Sequence, residues 1–170
     1  FTADSKTDFS TQLQKAQSAG AELVFLPIYY TEASIILTQA DSMGYAPTFF
    51  GCDGLDGLLG VENFNTELAE GVMLLTPFAA DADDEKTQSF VTKYKEAYGD
   101  TPNQFAADTY DAIYIMKAAA EKAGVTADMS VSDICDAMKT AMTEISYDGL
   151  TGEGMTWTAD GRSEERRVGK

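Results

Sequence analysis

Tyr29 and Asp53 each stand just after a short apolar run, Leu23 to Ile28 and Thr48 to Phe50. An aspartate so placed can pair with an ammonium group. A tyrosine adds an apolar wall with a polar tip. Each also has a plainer reading: Asp53 as a turn residue before Gly54, Tyr29 as a packing aromatic. Asp53 and Asp56, in DGLDG, admit a paired-carboxylate or magnesium reading. Two acids make a poor hard-cation site, however, which wants about six oxygens or more. The chain has no histidine, so a Cys–His nucleophile and a His-containing zinc site are excluded. It carries no phosphate-binding glycine loop, no G-x-S-x-G elbow and no C-x-x-C pair. Binding is therefore a better expectation than catalysis.

The elements that position these residues follow from periodicity. Phe9, Leu13, Ala16 and Ala19 give one helix stripe over residues 8–19, with Asp8 or Thr7 as cap and Gly20 as stop. Leu23 to Ile28 is apolar at every position and predicts a parallel strand covered on both faces. Ala33, Ile36, Leu37, Ala40 and Met43 predict a helix from Glu32 to Met43, ended by Gly44. Residues 47–51 form the next strand, 52–70 a loop with one helical turn, and 71–78 a third strand. Strand ends in an open parallel sheet are where ligands bind, and neighbouring strands lie ~4.8 Å apart. Tyr29 and Asp53 are thus expected to converge.

Beyond residue 78 the chain is mostly helical. Acidic residues 81–85 suit the first turn of a helix running to Tyr98. A longer helix spans Asn103 to Ala123, another opens at Ser130, and Tyr147 to Trp157, rich in Gly and Thr, reads as a hairpin or a strand pair. The shift near 78 predicts a domain crossing.

The net charge of −16 repels phosphate backbones and makes nucleic acid a poor partner. No apolar run approaches the ~18 residues of a membrane span. Cys52 and Cys135 are too few for a disulfide framework. The opening residues show no signal-peptide pattern, and the true N-terminus is expected upstream. Residues 162–170, RSEERRVGK, hold four of the twelve basic residues and read as a translated sequencing adaptor, apart from the fold.

The ordered blocks TDFSTQLQKAQSAGAELVFLPIYYTEASIILTQADSMG, FFGCDG, AEGVMLLTPF, FVTKYKEAYGDTPNQFAADTYDAIY and GLTGEGMTWTADG resemble the solute-binding proteins of bacterial branched-chain amino-acid ABC transporters, the type 1 periplasmic binding proteins. The resemblance covers residues 1–161. It implies an α/β fold of two parallel-sheet lobes, here truncated, with residues 1–77 in the second lobe and 78–161 in the first. It implies capture of an amino acid, a branched-chain one by the family's name, in an interlobe cleft outside the cytoplasm, in the periplasm or lipid-anchored. It implies an ABC permease as partner, no cofactor, no metal and no catalytic residue. The ligand contacts it implies are Tyr29, Asp53 on the α-ammonium group, and Phe105 from the other lobe. Tyr30, Cys52 and Asp108 are neighbours with weaker claims. Alternatives are a sensor domain of a receptor or amide-responsive regulator and, further off, an enzyme using Asp53 and Asp56.

The same resemblance puts the groups that grip the ligand carboxylate upstream of Phe1. A desolvated charge left without partners costs roughly 1–3 kcal/mol or more. The isolated chain is therefore expected to bind leucine weakly or not at all. A calorimetric titration giving a micromolar constant would overturn this.

Overall fold

The computed structural model describes Thr2 and residues 5–164. The chain divides into two compact units, Phe1–Thr76 and Pro77–Lys170.

The first unit is built on a three-stranded parallel sheet of β1 (Leu23–Leu26), β2 (Thr48–Gly51) and β3 (Met73–Leu74), in that order. Leu23 pairs with Thr48 and Leu26 with Gly51. Helices α1 (Ser10–Ser18) and α2 (Tyr30–Ser42) supply the core partners. Phe9 and Leu13 join Ala33, Ile36, Leu37 and Ala40 around Leu26 and Phe49. Gln39 ties the helices together: its Oε1 accepts from the Phe9 amide at 2.8 Å and its Nε2 donates to the Thr7 carbonyl at 3.2 Å. Asp8 serves the start of α1, accepting from the Ser10 amide and hydroxyl at 2.9 and 2.6 Å. Those bonds, the hydroxyl's first, hold its carboxyl below the usual range.

Three expectations shift here. β1 stops at Leu26, because Pro27 has no N–H for the ladder. Its covering is one-sided: Val24 and Leu26 turn into the core while Leu23 and Phe25 are 57% and 52% exposed. The apolar run recorded a demand for burial on both faces, and the described helices meet it on one. Residues 52–70 hold three 3-10 turns, Asp53–Leu55, Leu58–Gly60 and Thr66–Ala69, where one turn was expected. Leu55 and Leu58 anchor the first two in the core.

The second unit contains α3 (Glu85–Tyr98), α4 (Gln104–Ala123) and α5 (Val131–Met142). Each is capped by a side chain predisposed to it. Asp84 accepts from the Thr87 amide at 2.9 Å, Asn103 from Ala106 at 3.2 Å and Ser130 from Asp133 at 3.2 Å. The cap bond to the Thr87 amide lowers the Asp84 pKa. Phe78, Phe90, Val91, Ala107 and Leu150 form the core. The expected hairpin over Tyr147 to Trp157 is a single antiparallel bridge, Tyr147 to Met155. Beyond it β4 (Thr156–Trp157) pairs with β5 (Ser163–Glu164). Residues 162–164 of the segment set apart above thus lie in or beside this pair, and residues 165–170 lie outside the described residues.

Asp111, only 2% exposed, holds this unit's irregular segment to α4. Its carboxylate accepts from the Leu150 amide at 2.8 and 2.9 Å, the Thr151 amide at 2.9 Å and the Thr151 hydroxyl at 2.8 Å. Gly149 permits the approach: a Cβ there would lie 2.3 Å from Asp111 Oδ2. Asp111→Ala would leave one buried and one part-buried backbone donor without their partner and is expected to cost about 2–3 kcal/mol. Urea denaturation followed by Trp157 fluorescence measures this, and Gly149→Ala should destabilise the same transition.

Candidate functional site

The parallel pairing of β1 and β2 decides where the predicted residues fall. Both strands run the same way in register, so the segments leaving their carboxyl ends emerge side by side. From β1 the chain passes through Pro27 and Ile28 to Tyr29, the N-cap of α2. From β2 it passes through Cys52 to Asp53, the first residue of a 3-10 turn. The structure joins these segments at Gly54. A Cβ on Gly54 would meet the Ile28 carbonyl oxygen at 2.5 Å and the Tyr29 Cα at 3.5 Å. The Asp53–Gly54 turn therefore rests directly on the Ile28–Tyr29 backbone.

Leu55 locks the turn from below. It is 1% exposed and lies under Gly51, where a Cβ would stand 2.1 Å from its Cδ1. Gly54 and Leu55 are buried, while Asp53 and Tyr29 face outward, Tyr29 at 64% exposure. The result is a rigid backbone seat presenting an acid and an aromatic at one sheet edge. Such a pair can hold a cationic nitrogen against an apolar wall. Tyr30, read as a neighbour in the loop, is the first residue of α2 and packs on the core. Asp56 is half-buried at the end of the Asp53 turn.

Phe105 belongs to the second unit. It is the second residue of α4, half-buried, after the Asn103 cap. Asp108, also half-buried, lies one turn on. Among the described residues, no cluster of three or more acids, cysteines or histidines forms a cation site.

Sequence reasoning passed over an aromatic groove in this unit. A cavity of about 590 Å³ lies between α3 and α4, walled by Phe90, Tyr94, Tyr98, Tyr110 and Tyr114 with Lys93 beside them. The Tyr110 and Tyr114 rings sit 4.7 Å apart. The Tyr110 hydroxyl is pushed up to about 12, by its hydrogen bond with Tyr114 and then by burial. The signal was present as the Tyr94/Tyr98 and Tyr110/Tyr114 pairs, each one helical turn apart. None of the predicted contacts lines this groove.

The sequence matches the family described as periplasmic binding protein over residues 1–166. A curated relative, the leucine-, isoleucine-, valine-, threonine- and alanine-binding protein of Pseudomonas aeruginosa, is 26% identical over 117 residues, 69% of this chain and 31% of that protein. The crystal structure of a leucine-binding protein from Thermotoga maritima is similar at 26% identity and a TM-score of 0.69, covering 94% of this chain and 43% of that one. A solute-binding protein of an ABC transporter from R. palustris, in complex with benzoate, shares the fold at 18% identity and a TM-score of 0.76, over 94% of this chain and 42% of that one. The chain thus belongs to the periplasmic binding protein family and has the type 1 fold. It spans less than half the length of these relatives.

Gly54 is the residue on which the seat turns. Its clash is steric, with the Ile28 carbonyl, so Gly54→Ala must push the Asp53 turn off the Ile28 backbone. The expected destabilisation is about 1–3 kcal/mol. Chemical denaturation against Gly60→Ala, where a Cβ meets nothing within 4 Å, is the measurement.

Proposed function

We propose, from that membership, that the protein containing this chain is an extracytoplasmic solute-binding component of an ABC transporter. It captures an amino acid, a branched-chain one, in a cleft between two lobes and delivers it to a membrane permease without catalysis. In this reading residues 1–77 contribute to the second lobe and residues 78–161 to the first. Asp53 holds the ligand's ammonium group, Tyr29 forms an apolar wall, and Phe105 faces the ligand from the other lobe.

One observation supports this reading above the rest: the close approach at Gly54, which seats an exposed carboxylate beside an exposed tyrosine on adjoining strand ends. The benzoate-bound relative makes an aromatic acid the rival ligand. A benzoate has no ammonium group, and its own charge is repelled by a carboxylate at contact distance. Asp53 therefore favours a zwitterion whose nitrogen it can neutralise.

Asp53→Asn in the complete protein tests both readings. A hydrogen bond to a charged partner contributes about 1.5–3 kcal/mol, so leucine affinity should fall by roughly 10- to 100-fold. Benzoate affinity should stay unchanged or rise. Titration calorimetry with both ligands reads the outcome. An Asp53→Asn protein that binds leucine as well as the parent overturns the assignment, and tight benzoate binding without leucine binding overturns the amino-acid reading.

A further inference from the structure

One residue of the candidate site faces away from it. Leu55 is 1% exposed, yet it belongs to the same three-residue turn as Asp53. A 3-10 turn has three residues per revolution, so side chains two positions apart point to different sides. Asp53 is exposed and Leu55 buried accordingly. The turn's own bonds run from the Leu55 amide to the Cys52 carbonyl at 3.1 Å and from the Asp56 amide to the Asp53 carbonyl at 3.0 Å. Bonds of this type have poorer geometry than those of an α-helix. Packing must therefore fix the direction in which the turn presents its acid.

That packing centres on Gly51, the last residue of β2, which pairs with Leu26 of β1. A Cβ on Gly51 would stand 2.1 Å from Leu55 Cδ1, 2.4 Å from its Cγ and 3.2 Å from the Leu26 carbonyl oxygen. Leu55 thus fills the space that a side chain at residue 51 would take. Gly51 has no positive φ, so close contact rather than backbone conformation is what calls for glycine there.

We propose that Leu55 is a positioning residue for ligand binding: through its contact with Gly51 it sets the place of the Asp53 carboxylate. This role rests on the proposed reading of Asp53 as the group that holds the ligand's ammonium. A charge-assisted hydrogen bond wants about 2.7–2.9 Å between heavy atoms, and binding groups must be held within about 0.5 Å of their productive geometry. Truncating Leu55 lets the turn settle toward the vacated volume, and the carboxylate moves with the backbone that it shares. Leu58 is the matched comparison. It is 6% exposed in the same core, and its own turn, Leu58–Gly60, carries no acid.

A double-mutant cycle on the complete protein, read by titration calorimetry with leucine, tests this. Leu55→Ala is expected to lower affinity by about fivefold or more in the parent, and by less than about twofold in an Asp53→Asn background, where the carboxylate is already gone. Leu58→Ala should lower the melting temperature comparably while leaving affinity within about twofold. Gly51→Ala presses on Leu55 from β2 and should also lower affinity in the parent alone, which keeps the test decisive if Leu55→Ala does not fold. Equal losses in the two backgrounds overturn the positioning role. So do equal losses for Leu55→Ala and Leu58→Ala, or an unchanged affinity in Leu55→Ala. An Asp53→Asn protein that binds leucine as the parent does overturns the ammonium reading first, and the positioning role with it.

Discussion

The parallel register of β1 on β2 is the constraint from which the candidate site follows. Two strands running the same way need a crossover, and α2 supplies it. The crossover returns the chain so that both carboxyl ends open on the same edge. Everything at that edge is then fixed by short steps of backbone: Pro27 ends one strand, Gly54 lets the next turn settle on it, and Leu55 drives the turn into the core.

That much was legible in the sequence because it depends on alternation and punctuation. Apolar runs ended by Tyr29 and by Gly51-Cys52-Asp53-Gly54 announce strand ends, and one intervening helix stripe announces a parallel crossover. The one-sided burial of β1 was not legible. A run such as Leu23–Ile28 records that its side chains are apolar, and says nothing of which chain segment will cover them. The eight residues expected in the third strand shrank to Met73 and Leu74 for a related reason: ladder pairing needs a neighbour, and β2 offers only a short stretch.

Asp111 shows the opposite failure, in which a strong signal was passed over. An acid in a helix is usually solvated. Yet Gln104, Ala107, Asp111 and Ala119 lie on the buried side of α4, and an acid on a buried helix face requires a partner. The partner, the Leu150–Thr151 backbone, lies far along the chain where no local pattern points to it. Gly149 was visible only as one glycine in a glycine-rich stretch.

The buried Asp111 carboxylate has a consequence for the way the second unit opens. Residues 149–151 belong to no regular element, and segments of that kind ordinarily exchange their amide hydrogens quickly through small local excursions. The amides of Leu150 and Thr151 are bonded to a side chain rooted in α4, so they cannot be released unless that anchor gives way. Exchange at these two amides is then tied to the Asp111 anchor on α4 as well as to the loop, although the stretch looks like a connector.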